Sequence, residues 1–209
     1  MHKALRVIKK ILTGKNPLEV RLPEGQWDRQ FESGYWDLLL KAPENVRTTV
    51  EIVEAIAGDG SVNILDVGCG NGIIPQLLSE KEISFTYTGT DISQKALNQA
   101  KSQYPKGNYI HADIEEDPVL TDTYDVIIFS EVLLYGNSRT ILQAHKKYAH
   151  PDTKLIISLY RTWRTIIIWF LIQTSVRYIS QKRVINPQKT ISWDVKVATY
   201  KNNVVLFRN

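Results

Sequence analysis

The chain has 209 residues, 43% of them hydrophobic, with a formal net charge of +4 and a pI near 9.0. That suits one α/β domain with a substantial core and falls well short of the basic excess of a nucleic-acid binder. A single cysteine excludes a disulfide framework and, with no Cys or His neighbour at ligand spacing, offers no metal site.

Leu5 to Leu12 mixes apolar and basic residues at roughly helical spacing. Residues 1–25 therefore form a basic extension, loosely docked or laid on an anionic membrane surface. Met1 to Lys15 lacks the apolar stretch and cleavage site of a signal peptide, so the expected location is the cytoplasm. Gln26 to Asp37 is rich in aromatics and broken by Gly34, too irregular for a strand or a clean amphipathic helix. Large rings ahead of a core need something to cover, and residues 26–60 are expected to supply a lid or cap.

Pro43 and Glu44 open a helix with Val46, Val50, Val53 and Ala57 on one face, stopped by Gly58 and Gly60. Strand and helix patterns then alternate. The strands fall near 62–67, at Phe85 to Gly89, Asn108 to Ala112, Tyr124 to Phe129 and Lys154 to Leu159. Between them lie helices from about 71 to 80, after Ser93, and around Ile141, His145 and Tyr148. Such alternation means parallel strands with right-handed crossovers, a doubly wound α/β fold. Trp163 to Ile179 is apolar over most of its surface and should be covered on several sides, although Ile166 to Ile172 is far too short to span a bilayer. Trp193 to Val197 alternates with strand period, and its hairpin partner is either 183–187 or 204–208.

In an open parallel sheet the ligand lies beyond the carboxyl ends of the strands. After the first strand stands Asp66-Val67-Gly68-Cys69-Gly70-Asn71-Gly72. Its third glycine comes one residue earlier than in the dinucleotide pattern, with Ile73 where that pattern ends. Asp66 adds a negative charge that disfavours a pyrophosphate and suits a ligand with an ammonium and a sulfonium. After the second strand, Asp91 can accept both hydroxyls of a ribose. Cys69 is expected to line the turn rather than to act as a nucleophile.

At these residues the chain resembles the class I S-adenosylmethionine (SAM) dependent methyltransferases. The resemblance implies a Rossmann-like, mainly parallel seven-stranded sheet closed by a C-terminal antiparallel hairpin. It implies one domain over 1–209, with a SAM-binding core at 61–160 and an acceptor-side helix and final strands at 161–209. SAM would be the cofactor and S-adenosylhomocysteine the product. Cofactor contacts are expected at Asp66, Gly68, Cys69, Gly70, Gly72 and Asp91. Asp113 would take the adenine amine and Ala112 lie beside it, with Ile92 and Ile114 walling the ring; Ser130 and Glu131 would serve the methionine end, and Trp27 the lid. Ser130-Glu131-Val132-Leu133 followed by Tyr135 resembles the nodulation-type N-methyltransferases and related enzymes of bacterial sugar gene clusters.

Glu131 and Tyr135 are the catalytic candidates, with His145 and Tyr35 as weaker bases; Tyr35, Tyr160, Arg161 and Trp163 are expected to face the acceptor. His111 and Asp125 are expected to be structural. The acceptor is a small molecule, a sugar, glycan or other biosynthetic intermediate, methylated on O or N by a monomer or homodimer. A lipid-linked substrate or a weak membrane-surface contact stays open. Competing readings are a nucleic-acid methyltransferase and a non-catalytic SAM-binding protein, the first disfavoured because no Asn/Asp-Pro-Pro-aromatic follows the fourth strand.

Overall fold

The structure, a computed structural model, describes residues 21–36, 43–58 and 60–201. The expected Leu5 to Leu12 helix and the candidate strand at 204–208 lie outside these residues. Seven strands form one sheet in the order β3-β2-β1-β4-β5-β7-β6. They are β1 Ser61–Val67, β2 Ser84–Asp91, β3 Asn108–His111, β4 Tyr124–Ser130, β5 Ala149–Tyr160, β6 Val176–Ile185 and β7 Ser192–Tyr200. The first five are parallel, and β7 runs antiparallel to both β5 and β6. The chain reverses its direction of travel across the sheet between β1 and β4, which is where open α/β sheets carry their ligands.

The central strands are unbroken apolar runs because both faces of a parallel sheet are covered. Leu65 and Val67 of β1 and Ile127 and Phe129 of β4 pack on one face against Ile141 and Leu142 of α5 (Ser138–His145) and Ile168 and Ile172 of α6 (Trp163–Ile172). Ile64, Val126 and Ile128 face the other way, against Val46, Val50 and Val53 of α2 (Glu44–Ala57) and Ile73 and Leu78 of α3 (Ile73–Ser79). Leu97 of α4 (Gln94–Gln103) joins this second layer. Ser93 accepts from the Ala96 amide to cap α4, and Asn137 accepts from the Arg139 and Thr140 amides at the start of α5.

Three expectations are corrected. The aromatic segment holds a regular helix, α1 (Glu24–Glu32), whose one buried residue is Phe31. The apolar helix ends at Ile172, not Ile179. Val176 and Tyr178, β-branched and aromatic, favour extended backbone once a partner strand is present, and β6 pairs from Val176↔Tyr200 to Ile185↔Ser192. The hairpin thus joins 176–185 to 192–200. Finally, α6 is covered on one side only: Trp163, Ile166 and Phe170 are 63%, 55% and 62% exposed. Among the described residues no helix is long and apolar enough to cross a membrane.

Candidate functional site

The glycine turn is held from below by the end of β2. The Thr90 carbonyl accepts from the Gly68 and Cys69 amides at 2.7 and 2.9 Å. The Gly70 amide donates to Asp91 Oδ2 at 2.9 Å, and the Ser93 amide donates to Oδ1 at 2.9 Å. One carboxylate therefore ties the turn to the start of α4 while facing the cavity above it. Gly68, Gly70 and Gly72 have φ of 72°, 55° and 79°, the left-handed region that side chains with a Cβ disfavour. A carboxylate oxygen accepts more than one hydrogen bond, so Asp91 retains capacity for a ribose.

Asp66 does not reach this cavity. Its Oδ2 accepts from the buried Tyr87 hydroxyl at 2.7 Å, its Oδ1 is buried without a partner, and burial pushes its carboxyl up to about 7. The charge expected to meet a cationic ligand is instead folded into the layer beneath the turn. Such a group takes up a proton on folding, so its stabilisation is full below about 3.8 and is lost as pH rises through about 7. Asp66→Asn is expected to flatten the pH dependence of unfolding between about pH 4 and 7, by up to about 1.4 kcal/mol per pH unit. Urea denaturation at stepped pH measures this, and an unchanged slope would refute it. Burial and the charges of Asp91 and Asp66 push the Cys69 thiol up as well, which leaves it protonated and poorly nucleophilic.

A cavity of about 400 Å³ opens over the turn. At its donor end stand Gly68, Gly70, Asp91, Ile92, Asp113 and Ile114. Asp113 Oδ1 accepts from the Glu115 amide at 2.9 Å, and Oδ2 pairs with Arg21 at 2.5 Å. Arg21 also reaches Glu115 at 2.6 Å. Residues 21–36 lie across this end as a strap. Its further ties are Glu24 to His111, Asp28 to the Ser93 hydroxyl and Lys95 amide, and Glu32 to Lys95. Exposed ion pairs of this sort contribute little; the rings of Trp27, Phe31 and Trp36 line the cavity beneath.

The other end is built around Glu131. Its φ is 60°, a strained setting for a residue with a Cβ and one that recurs at functional sites. Its amide donates to the Ser158 carbonyl at 2.9 Å. Its carboxylate accepts from the Ser158 hydroxyl at 3.0 Å and the Tyr160 amide at 2.7 Å. Behind it the Asn45 amide nitrogen donates to Ser158 Oγ at 3.1 Å. Burial pushes the Glu131 carboxyl up to about 7, against the hydrogen bonds from Tyr160 and Ser158. Tyr135, Tyr160, Trp193 and Leu134 surround it on the cavity wall.

Of the residues expected at the site, the cavity collects Trp27, Gly68, Gly70, Asp91, Ile92, Asp113, Ile114, Ser130, Glu131, Tyr135 and Tyr160. It leaves out Asp66, Cys69, Gly72, Ala112, Tyr35, Arg161 and Trp163. Tyr35 is 64% exposed and stacks edge-on against Trp36, while Arg161 leans on Asp194 at 3.7 Å. His145 is buried on the far layer, bonded to the Ile141 carbonyl, and burial lowers its pKa. His111 and Asp125 serve as anchors, the first for the strap and the second for the Asn63 amide. Trp36 joins the cavity wall from the expected lid, whereas no local pattern marks Arg21, Leu134 or Trp193 as lining residues. Trp193 faces the site because the antiparallel register sets it opposite Tyr160; the alternation around it marks a strand without saying which strand it joins. Among the described residues no cluster of His, Cys, Asp or Glu could hold a metal.

The donor end fits a nucleoside: an acid below, two isoleucines as walls and a second acid one strand along. Residues 64–151 match the family described as a methyltransferase domain. The ubiquinone biosynthesis O-methyltransferase of Candida albicans is 30% identical over 126 residues, covering 56% of this chain and 37% of that one. The trans-aconitate 2-methyltransferase of Acidovorax sp. JS42 is 33% identical over 73 residues, covering 35% and 28%. The chain thus spans only about a third of the length of these curated relatives. In structure it is similar to the N-methyltransferase NodS of Bradyrhizobium japonicum WM9, solved with S-adenosylhomocysteine, at a TM-score of 0.68 and 16% identity over 86% of this chain and 98% of that one. At that identity the likeness is one of fold. The matched domain over residues 64–151, the strand order and the acids after β2 and β3 together make this chain similar to the class I SAM-dependent methyltransferases.

Proposed function

We propose that this protein transfers the methyl group of SAM to an O or N atom of a small-molecule acceptor, a sugar, glycan or other biosynthetic intermediate. The observation that carries this reading is one cavity with Asp91 at one end and the half-buried, strained Glu131 at the other. Asp91 accepts the ribose hydroxyls, Asp113 takes the adenine amine, and Ile92 and Ile114 hold the ring. When bound, SAM supplies a methyl on a positively charged sulfur, a leaving group already activated. The protein's part is alignment and exclusion of water. Trp27, Phe31 and Trp36 cover the site, and Glu131 receives the acceptor's proton.

The test is calorimetry with SAM, followed by detection of S-adenosylhomocysteine over a panel of sugars and amines. SAM binding with no turnover on any small acceptor would sink the enzyme reading. Glu131→Gln is expected to lower turnover on the order of a hundredfold and to alter SAM affinity less. Turnover of the unaltered protein should rise with pH through about 7 as Glu131 ionises, and that rise should vanish in the variant.

A further inference from the structure

We propose that the acceptor end of the cavity is built for a cation, so that the group methylated is a primary or secondary amine that arrives as its ammonium and rests on Glu131 among aromatic rings. The inference rests on the methyltransferase reading and narrows its acceptor.

Glu131 is a half-buried carboxylate on the cavity wall, held among the described residues only by neutral donors: the Ser158 hydroxyl at 3.0 Å, the Tyr160 amide at 2.7 Å, and the Asn45 amide nitrogen at 3.5 Å, the limit of hydrogen bonding. Among the described residues it makes no ion pair. Two of these donors fall on Oε1 and one on Oε2. A carboxylate offers about four acceptor positions, so capacity remains on Oε2. A buried anion without a counter-charge is costly, and an incoming cation removes that cost.

The walls suit the same guest. Trp27 stands edge-on to Tyr135, with ring centroids 4.8 Å apart, and lies against Trp36 at 6.1 Å. Tyr160 and Trp193 form a second edge-on pair at 6.1 Å. All five rings line the cavity, and aromatic faces attract ammonium groups, the more so away from water. Other acceptor chemistries fit less well. A carboxylate would meet Glu131, and Arg21, which alone among the described lining residues is a cation, is already paired with Asp113 and Glu115. A neutral hydroxyl brings no positive charge to offset the Glu131 carboxylate.

The chemistry balances within the site. The ammonium N–H bond breaks, its proton passes to Glu131 Oε2, and the electron pair stays on nitrogen as the nucleophile. A buried cation and anion become a neutral amine and a neutral acid, the direction a low-dielectric cavity favours. The elevated Glu131 carboxyl is consistent with that transfer.

The experiment compares choline with its neutral carbon analogue 3,3-dimethylbutan-1-ol by calorimetry on the full chain, with and without SAM, and then compares amines with matched alcohols as acceptors. Choline is expected to bind at least about tenfold tighter than the analogue. Glu131→Gln should erase that preference and leave SAM affinity within about twofold, and amines should be turned over where alcohols are not. Equal binding of choline and its analogue overturns the proposal in the unaltered protein, so it stays falsifiable if the variant fails to fold. Equal loss of choline and SAM binding in the variant also overturns it, by placing the carboxylate on the cofactor's own ammonium. So does turnover of alcohols as fast as amines. If SAM itself does not bind, the methyltransferase reading fails instead, and the choline comparison without SAM still decides the cation site.

Discussion

Asp91→Ala is expected to weaken SAM binding by more than tenfold and to destabilise the glycine turn at the same time. Charge-assisted hydrogen bonds to the ribose contribute about 1.5–3 kcal/mol, which sets the loss of affinity. The same carboxylate also accepts from the Gly70 and Ser93 amides, and removing it orphans both donors at a cost of about 1–3 kcal/mol. Titration calorimetry and urea denaturation separate the two effects. Asp91→Asn offers an oxygen for one amide and lacks the charge for the ribose, so it should recover part of the stability and little of the affinity. Unchanged affinity in Asp91→Ala would refute the ribose assignment.

Gly72→Ala is expected to cost stability through two additive causes. The residue has φ of 79° and serves as the N-cap of α3, and a Cβ there costs about 1–2 kcal/mol for the left-handed backbone. That Cβ would also lie 2.8 Å from Ala100 Cβ and 2.9 Å from its Cα. Backbone cannot swing aside as a side chain can, so α4 must move away, for about another 1–3 kcal/mol of overpacking. The expected total is about 2–5 kcal/mol in urea denaturation. Gly70→Ala is the control: its φ is 55°, yet the nearest atom to a new Cβ is on Phe31 at an ordinary 3.7 Å. It should lose only the conformational part, and equal losses in the two variants would show that the approach of α4 does not matter.

The five parallel strands, the glycine turn and the positions of Asp91, Asp113 and Glu131 at or just after strand ends were readable because each depends on short-range pattern; the seven-stranded sheet came only with the family resemblance. Strand ends follow from apolar runs, and the ligand side of a parallel sheet follows from topology. Side-chain direction does not follow in the same way. Asp66 is two residues before Gly68 yet turns toward Tyr87 of β2, a contact set by the β1–β2 register. Asn45 and Ser158 steady Glu131 from α2 and β5, far apart in sequence, and no local pattern marks either. The break between α6 and β6 carries only a short local signal, the polar Gln173-Thr174-Ser175 between the apolar run of α6 and Val176; what fixes it as the start of a strand is the pairing of Val176 with Tyr200. Arg21 gives no signal beyond one more charge in a basic stretch, and its meaning comes only from the two acids after β3.

The placement of β7 between β5 and β6 has a consequence for how the molecule is made on the ribosome. Strand β6 is synthesised before β7 but lies outside it, so it cannot join the sheet until its successor has emerged. At roughly 5–20 residues per second, the edge of β5 stays unpaired for a few seconds while Arg161 to Ile191 is added. The nucleoside end needs nothing beyond β4, whereas Trp193 arrives with the last described strand. A nascent chain therefore has the glycine turn, Asp91 and Asp113 in hand before Trp193 completes the cavity wall beside Glu131.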